Sequence, residues 1–286
     1  MRKKCVNFKK LSIICLISFI ILSMVSGCKE DNQSSILVIG STALQPLAEQ
    51  AAKMFMYDNP NVSVQVQGGG SGNGLTSVSQ GSADIGNSDI FAEEKSGIDY
   101  KSLSDYRVAV TGFAVISNKG VGVEDLTESQ LVDIFTGKIT NWKDVGGNDV
   151  PVVVINRPSS SGTRAAFKKY GLKGAVETSS GKTLTQDSSG AVLLGISETP
   201  GAVSYIGLSY INDNKSINVI KIDDVSPNAE NISNGKYKIW AYEHMYTRGT
   251  AKGAIKDYID FVTSDKMKPY IKKLGYIPIG DMKVSR

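Results

Sequence analysis

The 286-residue sequence has little cysteine and almost no histidine, and both scarcities narrow the classes of protein that it can encode. Cys5 and Cys15 lie in the amino-terminal segment that is expected to be removed, so Cys28 is the only cysteine left to the rest of the chain. This usage leaves no internal disulfide and no Cys/His cluster for a transition metal. A hydrolytic triad would have to use His244, the single histidine, which lies in the strand-like stretch KIWAYEHMYT.

A surplus of basic charge is also missing from most of the chain, although the formal net charge is +4. Five of the 32 basic residues lie within positions 2–10, ahead of the apolar segment. Without residues 1–27, 27 Lys and Arg face 28 Asp and Glu, a net charge of −1. Nucleic-acid binding requires a broad basic surface against the phosphate backbone, so no nucleic-acid partner is expected.

The amino-terminal segment has the pattern of an export signal. Its apolar run LSIICLISFIILSMV is shorter than the roughly 20 residues of a membrane-spanning helix. It ends in VSGC, which resembles the lipobox of bacterial lipoproteins and implies removal of residues 1–27 and lipidation of Cys28, with palmitate among the acyl groups. A plain signal peptide and an uncleaved anchor are the alternatives. The polar stretch KEDNQSS predicts a short tether over residues 28–35.

From Ile36 onward, strand-like and helix-like segments alternate. ILVI, VSVQVQ and VPVVVIN read as strands, and PLAEQAAKMFMYDNP carries apolar residues at helical spacing. TESQLVDIFTG predicts a helix that begins with a Thr127/Gln130 capping box and ends near Gly137. A weaker helix is expected after the glycine-rich run GGGSGNG. The repeated order of strand, turn and helix predicts an α/β fold with parallel sheets.

Three turns combine glycine with serine or threonine where a strand is expected to meet a helix. They are GSTALQP at residues 40–46, GGGSGNG at 68–74 and RPSSSGTR at 157–164. At such strand ends, free backbone N–H groups and the helix dipole favour an anion. Only the third turn adds a guanidinium, that of Arg157, which suits a tetrahedral oxyanion. Each turn alone is ordinary capping chemistry, but the three together predict an oxyanion site.

Two stretches of the sequence are similar to catalytic or nucleotide-binding motifs, but each lacks a required glycine. SSGKT at residues 179–183 would need a glycine where Val176 stands to form a nucleotide-binding loop. Asn73 occupies the position of the last glycine in both GxGxxG and the GxSxG nucleophile elbow. The sequence therefore predicts a binding protein with no catalytic residue, cofactor or metal.

The order and spacing of GSTALQP, GGGSGNG, DIGNSD, IFTGKITNWKDVGG and RPSSSGTR resemble the phosphate-binding lipoprotein of the bacterial ABC phosphate uptake system. The resemblance covers essentially the whole chain. It implies a type II periplasmic-binding-protein fold, in which two crossover strands join two α/β lobes and the ligand lies in the cleft. Residues 36–112 and 241–286 would form lobe I and residues 113–240 lobe II, with crossovers near VAVTGFAV and YKIWAYEH.

The same resemblance implies a set of phosphate-binding residues: Ser41, Thr42, Ala43, Ser71, Asp89, Arg157, Ser161, Gly162 and Thr163. Assignments within residues 40–44 stay open, and Arg164 could face the ligand or the surface. Asp89 makes physical sense because protonated phosphate can donate a hydrogen bond to a carboxylate, whereas sulfate cannot. Arg157 could serve both Asp89 and the anion.

The resulting expectation is a lipid-anchored, extracytoplasmic monomer that captures inorganic phosphate by lobe closure. It would deliver the anion to an ABC permease and ATPase complex. A receptor for another tetrahedral oxyanion, sulfate or molybdate, is the nearest rival hypothesis, and Asp89 argues against it. Two further hypotheses stay open, namely an exported serine hydrolase and a sensing or adhesion lipoprotein with the same fold.

Overall fold

A computed structural model of the protein describes residues 34–211 and 214–286. The predicted signal peptide at residues 1–27, the lipidation site Cys28 and most of the tether predicted at residues 28–35 lie outside the described residues. Within the described part of the chain, no helix is both long enough and apolar enough to cross a bilayer.

Ten strands and eight α-helices make up the described residues. The strands are β1 (Ser34–Gly40), β2 (Val62–Gly69), β3 (Ile85–Ser88), β4 (Leu103–Asn118), β5 (Asp125–Leu126), β6 (Val153–Asn156), β7 (Thr183–Thr185), β8 (Ala202–Gly207), β9 (Ile217–Ile222) and β10 (Trp240–Arg248). The helices are α1 (Gln45–Asp58), α2 (Ser71–Gln80), α3 (Glu128–Phe135), α4 (Gly162–Tyr170), α5 (Ser189–Glu198), α6 (Ala229–Ser233), α7 (Gly253–Val262) and α8 (Lys268–Lys273). The expected α/β class is therefore correct.

The strands form one mixed sheet with the order β2-β1-β3-β10-β4-β8-β6-β7, and β9 and β5 lie to the side of β4. Pairs on the flanks, such as β1 with β2 and β6 with β8, are parallel. Strand β10 is antiparallel to β3 and to β4, and β4 is antiparallel to β8. The parallel pattern predicted from sequence thus holds on the flanks, whereas the centre is antiparallel.

Strand β4 belongs to both flanks of this sheet. Its first part pairs with β10 as far as Gly112, and from Phe113 onward it pairs with β8. A side chain at Gly112 would clash, since a Cβ there would lie 2.3 Å from Cδ1 of Ile232. Because β4 pairs with β10 and then with β8, one continuous strand joins the two flanks, at the position where the crossover VAVTGFAV is expected.

Two large apolar cores lie on the two parts of the sheet. One is built mainly from residues of 36–109 and 245–276, among them Val38, Leu47 and Tyr258. The other is built mainly from residues 110–242, among them Trp142 and Tyr205. Burial of such apolar surface is the principal stabilising term of a fold that has no cysteine within its described residues.

Local sequence signals are reproduced closely in helix α3. The Thr127 hydroxyl accepts a hydrogen bond from the Gln130 N–H at 3.1 Å, and the Gln130 side chain accepts one from the Thr127 N–H at 2.9 Å. The helix ends one residue before Thr136, and Gly137 follows with φ of +80°. Both the capping box and the glycine stop are confirmed.

Helix α2 begins earlier than the sequence predicts, at Ser71 inside the glycine run. A Cβ at Gly74 would lie 2.6 Å from the Ile39 carbonyl oxygen and 2.7 Å from that of Asn87. The glycines therefore let the helix start pack against the ends of β1 and β3, instead of forming a loop ahead of the helix. This contact brings Ser71 to the carboxyl edge of the sheet.

Candidate anion-binding site

The predicted site residues meet at the carboxyl ends of three strands, the parallel pair β1 and β3 on one flank and β6, which runs in the opposite direction, on the other. Strand β1 ends at Gly40, β3 ends at Ser88 and β6 ends at Asn156, and the loops or helices that follow carry the polar groups. All eight predicted residues with a side chain are almost fully buried, each at most 4% exposed: Ser41, Thr42, Ala43, Ser71, Asp89, Arg157, Ser161 and Thr163. The ninth, Gly162, is buried at the start of α4.

Contacts link these residues across the two flanks of the sheet. The Thr163 hydroxyl donates to Oδ2 of Asp89 at 2.7 Å, and Nη2 of Arg157 donates to the Thr42 hydroxyl at 3.3 Å. At Gly162, a Cβ would lie 2.1 Å from Oγ of Ser71, so only glycine fits there. The structure thus places the turns that begin at residues 40, 68 and 157 around one buried polar cluster.

Three serine hydroxyls share one hydrogen-bonding role in this cluster. Oγ of Ser41 accepts from the Ala43 and Leu44 N–H groups at 3.0 and 3.2 Å. Oγ of Ser71 accepts from the Asp89 N–H at 3.0 Å, and Oγ of Ser161 accepts from the Arg164 N–H at 3.2 Å. A hydroxyl that accepts in this way keeps its own proton for donation. Each serine can therefore donate a hydrogen bond to an anion.

Arg157 supplies the positive charge of the site. Its Nη2 donates to Thr42 and, at 3.1 Å, to the Asp187 carbonyl. Its Nε and Nη1 atoms are buried and have no hydrogen-bond partner among the described residues. Burial lowers the pKa of the guanidinium, but an arginine stays charged at neutral pH. Two adjacent N–H donors of a buried charged fork are what a tetrahedral oxyanion binds.

Asp89 supplies an acceptor beside these donors. Oδ2 is engaged by Thr163, whereas Oδ1 is buried without a partner among the described residues. A buried carboxylate oxygen that lacks a donor is costly, so this atom is suited to a ligand that brings its own proton. The negative charge of Asp89 also stabilises the charged guanidinium of Arg157 and so raises its pKa, against the effect of burial.

Arg164, left open by the sequence, is engaged by other groups of the protein. Its Nε lies 2.5 Å from Oε2 of Glu177, a carboxylate whose side chain is only 1% exposed. Its Nη1 donates to the Arg157 carbonyl oxygen at 2.7 Å. Arg164 therefore links the Arg157 backbone to the Glu177 carboxylate and helps to fix the position of Arg157.

Sequence reasoning missed Ser189, at the start of α5. Its N–H donates to the Thr42 hydroxyl at 3.2 Å, and its Oγ lies 3.1 Å from the same oxygen. Tyr210 also contacts this loop, because its hydroxyl donates to the Thr42 carbonyl at 2.8 Å. The signal for Ser189 was present: DSSG ahead of an apolar run has the glycine and hydroxyl pattern of the other three turns.

Sequence reasoning also missed Glu243, in the middle of β10. This carboxyl is completely buried, and neither of its oxygens has a hydrogen-bond partner among the described residues. Burial, together with the nearby Asp89 carboxylate, raises the pKa of Glu243 well above its ordinary value. The site therefore contains two neighbouring carboxyl groups, one of which favours the neutral form.

The arrangement around His244 is not that of a hydrolytic triad. Nδ1 of His244 lies 2.7 Å from Oδ1 of Asp105, and its ring stacks on Tyr246 at 5.5 Å between centroids. Among the described residues, no serine hydroxyl is hydrogen-bonded to this histidine. Nor are any three His, Cys, Asp or Glu side chains of the described residues grouped so that they could hold a metal ion.

The mixed α/β sheet, with its polar site at the ends of strands from both flanks, defines the class of protein: it is a periplasmic-binding-protein fold. A family model described as the PBP superfamily domain matches residues 29–266. The phosphate-binding protein PstS of Bacillus subtilis is 49% identical over 259 residues, which cover 90% of this chain and 85% of that protein. The chain therefore belongs to the PBP superfamily and, within it, to the family of bacterial PstS phosphate-binding proteins.

Solved structures support the same assignment. A substrate-binding protein from Clostridium perfringens, crystallised with bound phosphate, matches with a TM-score of 0.78 at 31% identity, over 86% of this chain and 100% of that one. An ABC-type phosphate transport receptor from Vibrio cholerae matches with a TM-score of 0.67 at 29% identity, over 86% of this chain and 100% of that one. The family expected from the sequence motifs is confirmed.

Proposed function

We propose that this chain binds inorganic phosphate at the Asp89/Arg157 site and delivers it to an ABC importer, without catalysing a reaction. The observation that carries the proposal lies in one buried site, where N–H donors of Arg157 and an acceptor, Oδ1 of Asp89, all lack a partner among the described residues. A partly protonated oxyanion satisfies both, because its bare oxygens accept and its hydroxyl donates. The relatives described above bind phosphate, which supports the same ligand.

Sulfate and molybdate are the rival ligands. Near neutral pH both are fully deprotonated, so neither can donate to Asp89, and each would place a like charge beside it. Sites built around a required hydrogen bond reject ligands that lack it by factors on the order of 10⁴ to 10⁵. Phosphate is therefore the ligand that the carboxylate favours.

The proposed ligand set is the one that the family resemblance implies, and the hydrogen bonds of the site support a role for its members. Ser41, Ser71 and Ser161 donate their hydroxyl protons, and Arg157 donates through Nε and Nη1. The remaining members of the set shape the turns or offer backbone N–H groups near the helix starts: Thr42, Ala43, Gly162 and Thr163. Such N–H groups have no acceptor within their own helix.

The two-lobe division belongs to the proposal as well. Residues 36–112 and 241–286 form lobe I and residues 113–240 lobe II, a division that the separate apolar cores support. Hydrogen bonds such as that from Thr163 to Asp89 would form only when the lobes close on phosphate. Solution scattering should then show a smaller radius of gyration with saturating phosphate than without it. Identical profiles would contradict a hinge mechanism.

We place the protein on the extracytoplasmic face of the cell membrane, held by a lipid on Cys28 and acting as a monomer. The VSGC sequence after the apolar run supports this anchor. A single acyl chain binds membranes only marginally, whereas two or more hold firmly. Cys28→Ala should abolish lipidation and leave the protein uncleaved or released. Equal membrane retention with unchanged mass would contradict the anchor.

Calorimetric titration of the full chain in detergent with phosphate, sulfate and molybdate tests the proposed function. Saturable binding of phosphate with no heat from sulfate or molybdate is the expected result. Turnover of ester or phosphoester substrates by the same preparation would instead favour a serine hydrolase. Association with a permease and an ATPase is tested by co-purification from membranes, and its absence would favour a sensing or adhesion role.

A further inference from the structure

Glu243 is a buried ionisable group to which the proposed binding site assigns no role. It lies on β10 opposite Ala109 of β4, and the register of that pairing shifts between Glu243 and His244. The side chain is fully buried, and both carboxyl oxygens lack a hydrogen-bond partner among the described residues. An isolated carboxylate in such a place would be very costly, so it must be either neutral or paired.

Three groups from other parts of the chain lie near Glu243. Ser88 of β3 pairs with His244 of the antiparallel β10, so Asp89, which follows Ser88, lies across from Glu243. The Glu243 carboxyl also acts on the hydroxyls of Tyr210 and Tyr276, which belong to the segments after β8 and α8. Both phenols are engaged elsewhere, because Tyr210 donates to the Thr42 carbonyl and Tyr276 donates to the Ala43 carbonyl. The carboxyl of Asp89 is thus the partner left for Glu243.

The two carboxyls differ in what supports their charge. Asp89 accepts from the Thr163 hydroxyl at 2.7 Å and is close enough to Arg157 to act on its charge. Among the described residues, Glu243 accepts from no donor. When two carboxyls share a site, one proton is retained, and it resides on the group whose charged form is less stabilised. That group is Glu243.

We propose that Glu243 is protonated at neutral pH and donates a hydrogen bond to Asp89, the carboxylate that selects phosphate by accepting its proton in a hydrogen bond. This inference rests on the proposed function. Burial raises the pKa of Glu243 in the direction that the geometry requires. Glu243 is in this sense a positioning residue, because it acts on the ligand through Asp89.

Which of the two carboxyls carries the proton determines how well the site distinguishes phosphate from sulfate. If Asp89 carried it, the aspartic acid could donate to a bare sulfate oxygen and would accept more weakly from phosphate. With the proton held on Glu243, the Asp89 carboxylate can accept a hydrogen bond from phosphate. Glu243 therefore favours phosphate over sulfate by acting through Asp89.

Two variants of the full chain separate this role from simple packing. Glu243→Gln keeps a donor of the same size, and Glu243→Leu fills similar space without a donor. Phosphate and sulfate affinities are measured for both, and for wild type, at several pH values between 5 and 8. We expect Glu243→Gln to keep the wild-type ratio of the two affinities. In Glu243→Leu, sulfate binding should strengthen by about ten-fold or more toward pH 5, because a proton that enters the site then has only the Asp89 carboxyl to occupy.

A wild-type ratio in Glu243→Leu at every pH would overturn the proposal, and so would a loss of selectivity in Glu243→Gln. Infrared spectroscopy provides a test that does not need the leucine variant to fold. The carbonyl band of a protonated, buried carboxyl should be present in wild type at pH 7 and missing in Glu243→Gln. Identical spectra would refute the proposal. Failure of wild type to bind phosphate would overturn the proposed function alone, because the infrared band is read without ligand.

Discussion

The two charged sides of the site differ in how completely the protein satisfies them. On the arginine side, Arg157 uses one nitrogen for protein contacts and leaves two donor atoms unpartnered among the described residues. On the carboxyl side, one oxygen of Asp89 accepts a hydrogen bond, whereas its other oxygen and both oxygens of Glu243 accept none from the described part of the chain. The arginine side offers a positive charge with N–H donors, and the carboxyl side offers an oxygen that accepts a hydrogen bond from a protonated anion.

This difference separates affinity from selectivity. A guanidinium attracts any tetrahedral oxyanion, so the arginine side favours phosphate and sulfate alike. A carboxylate repels both but accepts a hydrogen bond only from the one that is protonated. Variants on the two sides should therefore change different quantities, and this can be tested one residue at a time.

The largest effect is expected on the arginine side. Arg157→Ala removes the charged donor from a buried site and leaves Asp89 without compensation. Losing one partner of a buried charge pair costs about 2–5 kcal/mol, so phosphate affinity should fall by roughly 30-fold to several thousand-fold. Calorimetry measures this loss, and Arg248→Ala, at an exposed arginine, is the control. Equal affinities in the two variants would remove Arg157 from the site.

A variant on the carboxyl side should change phosphate affinity less and should gain the ability to bind sulfate. Asp89→Asn is nearly the same size, can donate as well as accept and removes the repulsion toward a fully ionised anion. Phosphate binding should weaken modestly, and sulfate binding should become measurable. Titration with both anions decides the matter. If sulfate still fails to bind while Arg157→Ala loses phosphate, Asp89 does not select for the ligand proton.

A few-fold loss of phosphate affinity is expected from a change at Arg164, which hydrogen-bonds to the backbone of Arg157. Arg164→Gln weakens the hydrogen bond to the Arg157 carbonyl and the ion pair with Glu177. A loss of about 1 kcal/mol corresponds to a roughly five-fold weaker phosphate affinity. The phosphate-to-sulfate ratio should not change, because Arg164 does not touch the carboxyl side. A changed ratio would mean that the two sides are not separable.

The last prediction concerns stability instead of binding. The pKa of Glu243 is raised on folding, so its neutral form contributes stability that is fully present below the unfolded value of 4.5 and is lost as the pH rises. Glu243→Gln has no such loss and should gain stability over wild type above pH 4.5, by up to about 1.4 kcal/mol for each pH unit. Chemical denaturation at several pH values from acid to neutral measures the gain. The exposed Glu124→Gln is the control, and a flat difference would mean that Glu243 is not shifted.

Local sequence patterns predicted the three glycine-containing turns and helix α3, whereas the nine proposed site residues were implied by the family resemblance. The turns and the helix depend on residues within a few positions of one another, as in the Thr127/Gln130 capping box. Glu243 could not be found in this way, because its surroundings come from Asp89, Tyr210 and Tyr276, which are far apart in the sequence. The antiparallel centre of the sheet escaped prediction for the same reason, since β10 enters it from the far end of the chain.

The serine hydroxyls of the site have a consequence for the entropy of binding. Because Ser41, Ser71 and Ser161 already accept backbone N–H bonds, their side-chain torsions are set before an anion arrives. Ordering a flexible side chain on binding costs about 0.5–1.5 kcal/mol, and a serine lies near the lower end because it has a single heavy-atom torsion. Folding has already met that cost here, so more of the hydrogen-bond energy is available as affinity for the anion.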